Sequence, residues 1–241
     1  MTIFRSAIFI LWFSLISATL ALVFLPAFLL PRSVTVWMAH CWTAASFWGL
    51  KVICGLDYEV RGEIPPPGRL VAVKHMSMWD TMAIHYLLRD PIIVLKRQLL
   101  YVPFYGWYLK KTGMISVNRE GGANALRRMT DLARQHFARG HTVVIFPEGT
   151  RKQAGAPPDY KPGVAALYAQ LDVECIPAAL NSGLFWTGFL GFLKKRGKIV
   201  IEFLKPIPPG LKRREFMARL ETEIEDATRK LIAEGRLLLA K

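Results

Sequence analysis

His75 and Asp80 stand five positions apart in the run KHMSMWD, residues 74–80. An imidazole beside a carboxylate makes a base with its orienter. The acid holds one ring nitrogen protonated and leaves the other free to take a proton. The same spacing recurs ten residues on, where HYLLRD carries His85 and Asp90. Spacing alone therefore assigns nothing. Five residues of continuous helix turn about 500°, which leaves the two side chains roughly 140° apart. Such a pair meets where the chain bends. His75 closes the apolar run LVAV, and Asp80 falls where a helical stretch begins, so a turn there can join them. His85 lies inside the helical stretch, and Asp90 precedes Pro91, which drives it from helical geometry. His85 reads as a packing or surface histidine. Taken alone, even the first pair is better explained by packing than by catalysis. No GxSxG elbow supplies a nucleophile. Ser77 is badly placed for in-line attack and reads as a brace for the turn. Two metal ligands without a third nearby make a weak metal site. A base acting directly on a substrate hydroxyl is the chemistry this pair suits.

A second motif changes the balance. FPEGTR, Phe146 to Arg151, ends the β-branched run TVVIF. In open α/β sheets substrates bind outside the carboxyl ends of strands. Pro147 and Gly149 make a tight turn there, from which Glu148, Thr150 and Arg151 can present polar groups. Glu148 and Arg151 form either an ion pair, or a polyol contact beside a bidentate phosphate grip. GMISVNR adds Arg119 at another strand end, and VLKR adds Lys96 and Arg97. Cores do not want these groups, so their convergence points to a site for an anionic substrate.

The elements that must position these residues follow from periodicity. Runs at 69–75, 91–97, 113–119, 141–149, 173–181 and 198–207 read as strands, with another at 57–62. Helical stretches fall near 81–89, 99–111, 121–138 and 163–171, and 212–236 reads as a closing amphipathic helix. This alternation predicts an α/β fold with a mixed, largely buried central sheet flanked by helices. An apolar helical hairpin precedes it. The run from Ser6 to Pro31 carries no charge, nor does Ser33 to Leu50. The first is long enough for a membrane helix and exceeds a signal-peptide core, with no clear small-x-small cleavage site after it. PRS at 31–33 is the expected turn. The pair would span the bilayer or dip into one leaflet, with a buried soluble hairpin as the bland alternative. Residues 1–56 thus read as a membrane-associated segment and 57–241 as the α/β domain, on the cytoplasmic face by the placing of Arg5 and Lys51.

The net charge is +14. From Asp57 onward 29 basic residues face 18 acidic ones, which attracts a phosphate-rich partner. The apolar N-terminus favours a bilayer over nucleic acid, for which no reading motif is present. Cys41, Cys54 and Cys175 lack paired ligand spacing and read as reduced packing residues. Two aromatic stretches stand out. LLYVPFYGWYL, 99–109, suits either an acyl tunnel or the headgroup boundary. GLFWTGFLGFLKKRGK, 183–198, sets Phe185, Trp186, Phe189 and Phe192 before a basic cluster and suits bilayer insertion, or else a core helix.

In order, HMSMWD, GMISVNR, FPEGTR and ECIPAAL resemble the four blocks of the glycerolipid acyltransferases, the 1-acylglycerol-3-phosphate acyltransferase family. The likeness covers about 57–210. Lys74 stands where that family usually has asparagine, and Asn118 where an acidic or aromatic residue is commoner. The resemblance implies that His75, oriented by Asp80, deprotonates the 2-hydroxyl of a lysophosphatidate, which attacks the thioester of acyl-CoA or acyl-carrier protein. It implies phosphate binding by Arg119, Lys96, Arg97 and Arg151, and an acceptor site shaped by Glu148, Gly149 and Thr150. No cofactor is implied beyond the acyl donor. Another lysolipid acceptor, such as lyso-ornithine lipid, a lipid-binding protein without turnover, and a hydrolase remain as alternatives.

Overall fold

Strand β2 (Leu70–Val73) is buried along its whole length. A strand with no solvent face needs a covering layer on each side. The computed structural model, which describes residues 1–118, 121–188 and 191–239, supplies both. Alternate side chains of a strand point to opposite faces. Val71 and Val73 pack with Trp79, Met82 and Ile84 of α3 (Met78–Leu87), and with Phe9 and Phe47 from α1 (Thr2–Val23) and α2 (Arg32–Gly49). Leu70 and Ala72 pack on the other side. Their partners come from α5 (Gly122–Ala138), α6 (Gly163–Leu171) and α7 (Arg213–Leu239), including Met129, Leu167, Phe216, Leu220 and Ile224. Each large aliphatic or aromatic side chain so buried contributes about 1.5–3 kcal/mol relative to exposure.

The remaining strands of this sheet are β1 (Leu56–Arg61), β3 (Ile92–Lys96), β4 (Ile115–Val117), β5 (Val143–Ile145), β6 (Cys175–Leu180) and β9 (Gly197–Phe203). Their order is β1-β9-β6-β2-β5-β3-β4. All neighbours run parallel except β6 and β9, so the sheet is mixed, as the sequence predicts. The parallel block β6-β2-β5-β3-β4 puts five carboxyl ends along one edge.

Three expectations need correction. The helix expected over 99–111 is broken. A 3-10 turn covers Arg97–Tyr101, and α4 covers Tyr105–Lys111. Pro103 is the cause, because it drives Val102 to extended backbone. The turn between α1 and α2 is not PRS. A 3-10 turn at Leu25–Leu29 makes it, and Arg32 is already in α2. Among the described residues of 183–198 no α-helix forms. They include a small hairpin of β7 (Trp186–Thr187) and β8 (Leu193–Lys194), in which Phe185 and Trp186 are buried and so unavailable to a bilayer, while Phe192 is exposed. Phe189 lies outside the described residues.

Candidate functional site

The site begins with a helix cap. Ser77 is the N-cap of α3, and its Oγ accepts from the Trp79 N–H at 3.2 Å. Asp80 sits three residues in, and its Oδ2 accepts from the Ser77 N–H at 2.8 Å. This reciprocal pattern is a capping box, which satisfies amides a helix otherwise leaves bare. The same oxygen also accepts from the Met76 N–H at 2.6 Å and lies 3.0 Å from His75 Nδ1. The other oxygen is held by the hydroxyls of Ser77, at 3.1 Å, and Ser182. Asp80 has no exposed surface. A carboxylate is acceptor-only, so in the neutral ring this bond puts the proton on Nδ1 and leaves Nε2 as a lone-pair acceptor. The His75 ring is stacked on Phe146, 4.1 Å between centroids, and its side chain keeps 12% exposure. Its carbonyl accepts from the Lys152 N–H at 2.9 Å, which fastens the loop after β5 to the end of β2. The arrangement can serve chemically as a base whose tautomer is set by Asp80.

Strand alternation decides what stands beside it. His75 continues the parity of Val71 and Val73, towards α3. Lys74 continues that of Leu70 and Ala72, towards α7. Lys74 is 1% exposed. Its Nζ donates to Glu148 Oε1 at 2.9 Å and to Glu225 Oε1, from α7, at 2.6 Å. Tyr160 donates its hydroxyl to the same Glu225 oxygen at 3.0 Å. Burial pushes the Glu148 carboxyl up, and the Lys74 ammonium works against that shift. Glu148 Oε2 is buried and has no hydrogen-bond partner among the described residues. Glu148 thus faces Lys74 inside the protein, not open space beyond the turn.

The cations are spread along the strand-end edge. Lys96 closes β3, two strands from β2, or about 10 Å across the sheet. Lys96 and Arg97 are exposed. Gly149 holds φ +64, a left-handed conformation that glycine adopts without strain, and its N–H donates back to Phe146 O at 2.8 Å. That bond closes the turn and presents Thr150 and Arg151 at the surface. Arg151 lies within electrostatic reach of Tyr105 in α4. Arg119 lies outside the described residues, directly after Asn118 at the end of β4. The second histidine–aspartate pair is dissolved: His85 bonds Tyr108 and Asp90 bonds Arg32. Sequence reasoning missed Ser182, Tyr160 and Glu225. Ser182 and Glu225 come from distant segments with no motif. One signal was present, because a lysine ending a fully apolar strand requires an acidic partner.

Comparison with known proteins fits this geometry. A family model described as Acyltransferase matches residues 57–181. A 1-acyl-sn-glycerol-3-phosphate acyltransferase of Pseudomonas aeruginosa is 34% identical over 162 residues, covering 66% of this chain and 63% of that protein. The human 1-acyl-sn-glycerol-3-phosphate acyltransferase beta is 28% identical over 193 residues, covering 75% of this chain and 66% of its own length. The chain therefore spans about two thirds or less of these curated relatives. The crystal structure of the 1-acyl-sn-glycerophosphate acyltransferase PlsC from Thermotoga maritima shares the fold. Its TM-score is 0.76 at 18% identity, over 96% of this chain and 99% of that one.

Proposed function

The chain belongs to the acyltransferase family, and from that premise we propose that it moves a fatty acyl group from a thioester onto the 2-hydroxyl of 1-acylglycerol-3-phosphate, giving phosphatidate. The observation that carries the reading is the His75–Asp80 couple, 3.0 Å apart, with Nε2 left open at the strand-end edge. Nε2 takes the proton of the acceptor hydroxyl as that oxygen attacks the thioester carbonyl. The tetrahedral intermediate then collapses, the C–S bond breaks, and the imidazolium returns its proton to the leaving thiolate. No acyl-enzyme forms. General-base action of this kind contributes about 10²–10⁴-fold, with positioning supplying much of the rest. Lys96, Arg97, Arg119 and Arg151 gather the acceptor phosphate. Gly149 and Thr150 shape the floor of that site, and Glu148 supports it from within. The donor is acyl-CoA or acyl-carrier protein, and no cofactor enters the reaction.

The same reading places the enzyme on a bilayer, on the cytoplasmic face of the inner membrane. Helix α1 has 22 residues and a mean hydropathy of 2.2, and among the described residues it alone is long and apolar enough to cross a membrane. Its outward face carries Ile3, Phe4, Leu11, Leu15 and Leu22, all exposed. A cleft of about 600 Å³ between α1 and the β7–β8 hairpin is lined by residues that include Ile3, Phe9 and Met78, the first residue of α3, and suits an acyl chain.

A panel of lysolipids with acyl-CoA and acyl-carrier protein tests the proposal. Diacyl product from lysophosphatidate, lost in His75→Ala, is expected. Product from another lysolipid alone would move the acceptor assignment. Free fatty acid without diacyl lipid would make the protein a hydrolase.

A further inference from the structure

Lys74 is among the largest side chains buried almost without trace. Burying an ammonium is expensive, and its attraction to buried carboxylates often only offsets the lost hydration. Such a group is weak evidence for stability, so its placement calls for another explanation. The residue sits next to His75 and on the opposite face of the sheet. Its two carboxylate partners come from different parts of the chain, Glu148 from the turn after β5 and Glu225 from α7, at 2.9 and 2.6 Å. The network is closed further by Tyr160, whose ring lies 6.0 Å from Nζ and whose hydroxyl bonds Glu225. Opposite this, His75 stacks on Phe146 and accepts from Lys152. The end of β2 and the 146–152 loop are therefore clamped on both faces.

We propose that Lys74 and Glu225 are positioning residues for the base: the ammonium, gripped by Glu148 and by a carboxylate from the C-terminal helix, fixes the end of β2 and with it the direction of His75 Nε2. Neither residue touches the reacting atoms. The inference deepens the acyl-transfer reading and rests on it for its kinetic test. It also makes α7 part of the working site, although Glu225 lies outside the residues matched by the family model, 57–181.

The geometry makes two demands on experiment. A misdirected base loses turnover without losing acceptor affinity, and an error of about 1 Å can cost 10²-fold. Residues in one network also lose their effect together, so their substitutions are not additive. Full-length Lys74→Met, Glu225→Gln and the double variant are assayed with lysophosphatidate and acyl-CoA. Nitrogen-15 spectra of the His75 imidazole are recorded on the same proteins and assigned with His75→Gln. Lys74→Met is expected to lower kcat by about 100-fold with acceptor KM unchanged within a factor of three. Glu225→Gln, which keeps the shape and an acceptor oxygen, should lower kcat by about 3- to 10-fold. The double variant should match Lys74→Met. In each variant the His75 signals should move from a fixed Nδ1–H tautomer towards an average. Wild-type kcat in Glu225→Gln, independent losses that multiply in the double variant, or a loss confined to KM would each overturn the proposal. Should Lys74→Met fail to fold, Glu225→Gln decides the matter. Should the wild-type protein transfer no acyl group at all, the functional reading fails and the imidazole spectra alone judge the clamp: altered signals sustain it, unaltered ones refute it.

Discussion

Arg32 grips Asp90 with both terminal guanidinium nitrogens, Nη1 to Oδ2 and Nη2 to Oδ1, the latter at 2.7 Å, while its Nε donates to the Thr112 carbonyl at 3.0 Å. The first turn of α2 is thereby tied to the loop between α3 and β3 and to the end of α4. The pair is about one-third exposed, so solvent screening limits it to about 1–2 kcal/mol. Asp90→Asn should therefore lower stability by about that amount and leave kcat within about threefold of wild type. Asp80→Asn removes the acceptor that fixes the His75 tautomer and should lower kcat by about 10²–10⁴-fold. Thermal melts and turnover on the two variants check both. Equal kinetic damage from the two would remove the distinction between the pairs.

His85 predicts an acid weakness. It is buried, its Nε2 is bonded to Tyr108, and its Nδ1 has no hydrogen-bond partner among the described residues. Burial lowers its pKa to about 4. Below about 6.5 the unfolded chain binds a proton here that the folded chain refuses. Stability from this group is therefore full above about 6.5 and falls as pH drops towards 4, by up to about 3 kcal/mol. His85→Phe should flatten this loss, seen in denaturant unfolding at pH 4.5 and 7. An unchanged difference between the two pH values would count against the assignment.

The sequence made the His75–Asp80 contact legible because a strand end and the start of a helix are both local features. Ser77, read as a brace for the turn, proves to be the cap that joins it to Asp80. The sheet was legible because β-branched runs alternate with helical stretches, and each expected strand overlaps an observed one. Ser182 and Glu225 were not legible, because their meaning is tertiary. They reach the site across 105 and 151 residues respectively, to Ser77 and to Lys74. The hairpin turn was misplaced because Arg32, the only charge in the neighbourhood, looked like a loop residue. It is instead paired across the fold.

Ser182 offers a finer test of Asp80. Its hydroxyl bonds both Asp80 Oδ1 and Ser77 Oγ, the latter at 2.9 Å. Hydrogen bonds to a charged group are worth about 1.5–3 kcal/mol. Part of that is recovered by the remaining donors, so Ser182→Ala should lower kcat by about 10-fold with KM little changed. Ser182→Thr keeps the donor and should recover part of the rate if the methyl fits. A kcat unchanged in Ser182→Ala would show that the other four donors hold Asp80 unaided.

The hairpin lies along the domain at both of its ends. Near its start, Ser6 Oγ accepts from the Lys194 N–H at 2.9 Å and Phe9 meets Trp186 edge-on at 5.9 Å. Near its tip, Lys111 donates to the Phe28 carbonyl at 3.0 Å and Phe28 meets Trp107 at 6.3 Å. A 22-residue helix is about 33 Å long, comparable to the hydrocarbon thickness of a bilayer. If α1 crossed the membrane with the domain outside, its far end would leave the domain by that distance, and the tip contacts would be lost. On the proposed membrane reading, these tip contacts favour a hairpin that dips into one leaflet, with Leu29 and Leu30 exposed at its turn. In a protein cleared of its three native cysteines, Leu29→Cys should never react with an impermeant maleimide applied from the side opposite the domain. A bimane label at that site should be quenched by nitroxide lipids of the near leaflet. Labelling from the opposite side would establish a spanning hairpin and require the tip contacts to open in the membrane.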